Sequence, residues 1–188
     1  MSTDHTIVVR PPRSFTEAEI QDFTVMVRAG GEVGDAVLDR NIRNAEAIAL
    51  ARQSACLVGI AALKTPLSTY CQRITKKTGV TVNAQTFPFE FGYLFVLPSA
   101  RRQGLALALC GATLAKANGR EIFATTRTDN LGTRTILEKS GFVKAGTPYG
   151  SGRGSHKLQL FVRHITRSSE LPLTTGGASL QPKEFQKC

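Results

Sequence analysis

The chain has 188 residues, 41% of them hydrophobic and 20% charged, a length and composition that support one soluble domain with its own core and are short for two. No run approaches the roughly 20 apolar residues of a membrane span, and Met1 to Arg10 carries no apolar run behind a positive patch, so no secretory leader is read and a cytoplasmic location is expected. The formal net charge of +10 suits an anionic partner. Yet the basic residues are scattered apart from Arg73, Lys76, Lys77 and the pair Arg101 and Arg102, without the aromatic interleaving of a single-strand binder, so nucleic acid is disfavoured.

Ile7 to Arg10 reads as a short strand closed by Pro11 and Pro12. Ser14 with Glu17, or Thr16 with Glu19, can form the capping box of a helix whose apolar face is Phe15, Ile20, Phe23 and Val27. A second amphipathic stretch, about Asp35 to Glu46, puts Val37, Leu38 and Ile42 on one side. Ala47 to Ala51 and Cys56 to Leu63 are β-leaning and form a hairpin about Arg52-Gln53-Ser54. Ser68 to Lys77 suits a short helix, and Thr78 to Thr86 a loop or weak strand. Phe89 to Leu97 is the clearest strand and ends at Pro98. Leu105 to Ala117 is helical, with Asn118-Gly119 as its C-terminal cap. A strand over Ile122 to Thr126 follows, then a helix capped by Asp129 or Thr128 and stopped at Gly141, then strands over Phe142 to Ala145 and Lys157 to Val162. The order predicts an α/β domain with a mixed sheet over residues 1–165. Residues 166–188, with Thr174-Thr175-Gly176-Gly177 and Pro182, read as a loosely attached extension. The four cysteines, Cys56, Cys71, Cys110 and Cys188, form no C-x-x-C pair and no Cys/His cluster, which argues against a disulfide framework and against a bound metal.

The informative segment is F-E-F-G-Y-L-F-V-L-P-S-A-R-R-Q-G-L-A, beginning at Phe89. A strand ends at Pro98, a turn rich in Arg and Gly follows, and a helix starts near Gly104. The first helical turn has unpaired N–H groups and a partial positive charge, Gly104 admits an anion close to the backbone, and Arg101 and Arg102 add full charge, which together make a diphosphate cradle. The longer phosphate loop ending in G-K-[ST] is absent.

Arg101-x-x-Gly104-x-Ala106 resembles the R/Q-x-x-G-x-G/A signature of the GNAT N-acetyltransferases. Val96, Pro98 and Arg101 match that family's approach to the loop, and Asn130 to Phe142 is similar to its N-x-x-A/S-x-x-x-Y-x-K-x-G-F segment. The resemblance covers about Phe89 to Val162. It implies a mostly antiparallel sheet flanked by helices, with two strands splayed to admit acetyl-CoA. Phe95 and Val96 would then offer backbone groups to the pantetheine, and Arg101, Arg102, Gln103, Gly104, Leu105 and Ala106 would face the pyrophosphate. Asn130, with Thr133, would reach the cofactor's arm, although a helix-capping role for Asn130 stays open.

The implied reaction is direct attack of an amine on the thioester, with the backbone N–H near Val96 as oxyanion donor. Glu90, flanked by Phe89 and Phe91, is the candidate base, since burial among aromatics raises a carboxyl pKa; a solvent-facing carboxylate is the alternative. The family's tyrosine acid falls on Leu137, which cannot donate a proton. Tyr149, in a glycine-rich link, is the catalytic candidate in its place, with Tyr93 and His156 as further substitutes. The expected partners are acetyl-CoA and an amine, either a small molecule or a protein lysine or N-terminus. A homodimer and a catalytically silent coenzyme-binding module are left open.

Overall fold

The computed structural model describes residues 5–31, 37–152 and 154–164. Strand β1 (His5–Arg10) ends at the prolines as expected, and helix α1 (Glu17–Ala29) follows. Of the two capping pairs, Thr16 and Glu19 are the ones used: the Glu19 carboxylate accepts the Thr16 N–H at 2.9 Å, and the Thr16 hydroxyl accepts the Glu19 N–H at 3.3 Å. Ser14 instead closes a 3₁₀ turn, Pro12–Ser14. Helix α1 buries Ile20, Phe23, Met26 and Val27, a stripe at helical spacing, and α2 (Leu38–Arg43) buries Leu38 and Ile42. The start of the predicted second helix, Asp35 and Ala36, lies outside the described residues.

Strands β2 (Ala47–Gln53) and β3 (Cys56–Lys64) form the hairpin. Their pairing continues to Gln53 opposite Cys56, so the turn is Ser54-Ala55 rather than Arg52-Gln53-Ser54. Helix α3 (Ser68–Thr78), β4 (Phe89–Val96), α4 (Leu105–Leu114), β5 (Ile122–Arg127) and α5 (Leu131–Lys139) follow in the predicted order. Asn118 takes the left-handed backbone foreseen for it, at φ 49°. Strand β6 (Val143–Gly150) is twice the expected length, because it crosses an irregularity after Ala145 and resumes pairing with β7 (Lys157–Arg163) at Tyr149 opposite Leu158. Tyr149 therefore sits on a strand, not in a glycine-rich link. The predicted extension, 166–188, lies outside the described residues.

The seven strands run in the order β1-β2-β3-β4-β5-β7-β6, antiparallel except for β4 beside β5. One face packs α4 and α5 onto small and aromatic side chains such as Ala49, Ala61, Phe91 and Ala124, with Leu105, Leu109 and Leu137 coming down from the helices. On the other face, α1 and α2 cover Ile48, Leu50, Ile60 and Ala62, while α3 covers Phe123, Leu160 and Val162.

The parallel pair is short. Strand β4 meets β5 only from Phe89–Ile122 to Phe91–Ala124, although β4 runs on to Val96 and β5 to Arg127. The cause is a bulge. Against β3, the register moves from Gly92 opposite Ala62 to Phe95 opposite Ile60, so Tyr93 and Leu94 together face the single residue Ala61. Tyr93 carries φ 54°, an uncommon backbone for a bulky side chain. The extra residue bends β4 away from β5, and the splayed pair implied by the family resemblance is this divergence.

Candidate functional site

A cavity of about 1300 Å³ opens where β4 and β5 part. At one end, the 3₁₀ turn Pro98–Ala100 leads into the Arg101–Gly104 loop. Arg102 (φ 61°) and Gly104 (φ 78°) are both left-handed, and Gly104 is the N-cap residue of α4, with no side chain capping the helix. A side chain there would strain the backbone, and a Cβ built on Gly104 meets no atom within 4 Å, so the space over the helix end is open to a ligand. Leu105 is buried in the core and anchors this end of α4, leaving its backbone at the loop. Gln103 donates its side-chain amide to the Ser99 carbonyl at 3.4 Å. The Arg101 side chain is turned back: its Nε donates to the Val96 carbonyl at 2.9 Å, and its guanidinium lies 5.9 Å from the Phe95 ring centre. Arg101 thus braces the loop against β4 while keeping its charge at the cavity wall.

The backbone of β4 supplies the next group. Leu97 donates its N–H to the Val58 carbonyl at 2.9 Å, and an antiparallel ladder alternates. Val96 therefore turns its N–H and C=O towards the gap, while Phe95 exchanges its own with Ile60. Of the two residues expected to offer backbone groups, Val96 faces the gap with its carbonyl held by Arg101, and Phe95 lines the cavity with its ring. Across the gap, Asn130 and Thr133 both line the cavity. The Asn130 side-chain carbonyl oxygen accepts the Thr133 N–H at 3.1 Å and caps α5, the role left open for it beside Asp129 and Thr128. Asp129 is held instead by Arg127, at 2.8 and 2.9 Å.

Glu90 sits where the strands separate and is 4% exposed. Strand alternation sends Phe89 and Phe91 to the α4 face, so Glu90 is not surrounded by them. Its partners are polar. Lys64, directly opposite on β3, makes an ion pair at 2.7 Å, Tyr70 on α3 donates its hydroxyl at 3.0 Å, and Thr125 on β5 donates at 3.3 Å. They are a counter-charge and two hydroxyl donors, none of which the sequence expectation, built on aromatic neighbours, counted. Gly92 permits the pairing: a Cβ there would lie 2.8 Å from Lys64 Cε.

Tyr149 lines the same cavity, beneath the Lys77 amino group at 5.4 Å from its ring centre. Burial first, and then the Glu90 charge, push its phenol up to about 12. The Tyr70 phenol is pushed up by the same two causes, and that of Tyr93 mainly by burial. Tyr93 and His156 also face the cavity, and Leu137 is buried at its α5 wall. Tyr70, Lys64 and Thr125 were not foreseen. A Tyr70-Arg73-Ile74-Lys77 spacing along one side of α3 was the available signal for the first; the other two become visible only once the strand register is known.

A split parallel strand pair, with an uncapped helix end beside the gap, is the geometry the loop motif led one to expect. The family model described as "Acetyltransferase (GNAT) family" matches residues 14–142. The chain belongs to the GNAT acetyltransferase family. Among solved structures, this GNAT chain is similar to ElaA of Escherichia coli (TM-score 0.65, 10% identity, covering 86% of this chain and 100% of that one). It is similar to NAA60 of Arabidopsis thaliana bound to a bisubstrate analogue (TM-score 0.62, 15% identity, 86% and 99% covered). It is also similar to yncA, a putative acetyltransferase from Salmonella typhimurium with its cofactor acetyl-CoA (TM-score 0.60, 12% identity, 90% and 99% covered). No curated protein sequence matches the chain. Among the described residues, no helix is long and apolar enough to cross a membrane, and no group of three His, Cys, Asp or Glu side chains could hold a metal ion.

Proposed function

We propose that this GNAT protein transfers the acetyl group of acetyl-CoA to a primary amine. The observation that carries the reading is the juxtaposition of an open, uncapped α4 terminus with a strand edge freed by the Tyr93 bulge. An extended thioester arm fits along the β4 edge at Val96, whose N–H faces the gap while its carbonyl is held by Arg101, with its diphosphate over Arg102 to Ala106 and Asn130 and Thr133 opposite. The Val96 N–H is the donor for the developing oxyanion. The amine nitrogen bonds to the carbonyl carbon, the carbon–sulfur bond breaks, and its electron pair leaves on sulfur. One N–H proton must depart, and Glu90 receives it directly or through water. Tyr149, held protonated by its raised pKa, is the donor to the departing thiolate in place of the tyrosine that Leu137 replaces.

A second reading, a coenzyme-binding module without turnover, draws on the buried Leu137 and on the engagement of Glu90 by Lys64. Calorimetry with acetyl-CoA and thiol release over an amine panel separate the two. Binding with turnover, lost in Glu90→Gln, supports the transferase; binding without turnover supports the module. Absence of both overturns the acyltransferase assignment.

A further inference from the structure

Helix α3 lies on the sheet face opposite α4, away from the pyrophosphate loop. It turns Tyr70, Arg73, Ile74 and Lys77 towards the cavity, residues spaced for one side of a helix. The two cations are seated on two of the tyrosines that line the cavity with Glu90. The Arg73 guanidinium lies 5.3 Å from the centre of the Tyr70 ring, whose hydroxyl reaches Glu90 at 3.0 Å. The Lys77 amino group lies 5.4 Å from the centre of the Tyr149 ring and donates to the Gly150 carbonyl at 3.2 Å. Stacking on a ring fixes a cation in place and leaves most of its N–H donors free for another partner.

Among the described residues no carboxylate pairs with either cation. Among the described residues, Glu90 is the one acid lining the cavity, and Lys64 already pairs with it at 2.7 Å. The acceptor side of the chamber is therefore net positive. Both cations are exposed to solvent, so an acceptor with further positive charge would be repelled, and a neutral one would leave them hydrated and unused. We infer that the acceptor amine belongs to a small molecule carrying its own anion, a carboxylate or phosphate-type group seated on Arg73 and Lys77 while the nitrogen approaches Glu90. The Tyr70 ring stands between the two contacts, its centre 5.3 Å from the Arg73 guanidinium and its hydroxyl 3.0 Å from Glu90, so one compact molecule spans both. The bond from Lys77 to Gly150 ties α3 to β6 and walls this side, which suits a compact molecule over a passing polypeptide.

This inference rests on the acyltransferase reading, and its test separates the two. The full chain would be assayed for thiol release from acetyl-CoA with matched amines: leucine against leucinamide, phosphoethanolamine against ethanolamine, and an acidic tetrapeptide. The expected result is a kcat/KM about tenfold or more higher for at least one anionic member of a pair. The pair showing the preference distinguishes carboxylate from phosphate. Arg73→Gln and Lys77→Gln should each raise KM for that amine more than they lower kcat and shrink the preference within the pair, with the melting temperature held as the folding control. Equal use of both members of each pair, or a preference for the peptide, overturns the inference and leaves the transferase. Acetyl-CoA binding with no turnover of any anionic amine overturns it too. No acetyl-CoA binding overturns both.

Discussion

Lys64 and Glu90 face each other across β3 and β4 at 2.7 Å, with side chains 19% and 5% exposed. Replacing Glu90 by Gln keeps the shape and an acceptor for the Tyr70 hydroxyl but leaves Lys64 without its counter-charge. Breaking a buried pair costs about 3–5 kcal/mol. Lys64 retains some contact with water, so the lower end, about 3 kcal/mol, is expected, and for a domain of this size that is roughly 6–12 °C in melting temperature. Removing both charges, as in Lys64→Met with Glu90→Gln, should recover most of the loss, since an apolar replacement of a whole pair is often near neutral. Thermal melts of the wild type, both single variants and the double variant complete the cycle. Additivity within about 0.5 kcal/mol, or a Glu90→Gln shift below about 2 °C, would show that the pair is solvated and refute its treatment as buried.

Gly104→Val forces a branched side chain into a left-handed backbone at a cost of roughly 1–2 kcal/mol and fills the space above α4. Acetyl-CoA affinity should drop by about tenfold or more, measured by calorimetry, with a smaller change in melting temperature. Gly146→Ala is a stability test remote from the coenzyme loop: at φ 60° its Cβ would collide with the Thr78 carbonyl oxygen and lie 2.9 Å from Thr78 and Val80 side-chain carbons. A loss of about 3 kcal/mol is expected in urea unfolding. The Tyr149 phenol, raised from 10.0 to about 12, keeps its proton in the fold where the unfolded chain has lost it. Its contribution is complete below pH 10 and disappears as pH rises to 12. Tyr149→Phe should flatten that part of the stability–pH curve.

The periodic segments were legible: α1 with its capping box, β4 up to Pro98, α4 after Gly104. Each is encoded locally, by side-chain spacing and by residues with special backbone demands. The site was legible where it is made of backbone, because Arg101 to Ala106 are contiguous and Gly104 declares its conformation. It was not legible where it depends on register. Nothing in the order of residues places Lys64 opposite Glu90, or Tyr70 and Thr125 on the same oxygen, since those contacts join four elements distant along the chain. The placement of Tyr149 in a link between strands failed for a related reason: an irregular pairing in β6 carries that strand on to Gly150. The cap of α5 was left between Thr128, Asp129 and Asn130, a choice among neighbouring polar residues that Arg127 narrows by taking Asp129.

The whole chamber hangs on a miscount of one between neighbouring strands. Were either Tyr93 or Leu94 deleted, β4 could realign with β3 in step, lie flat beside β5 and heal the sheet into an unbroken surface. A fold that differs from an unbroken sheet by so little is open to gaining or losing its gap through a single codon.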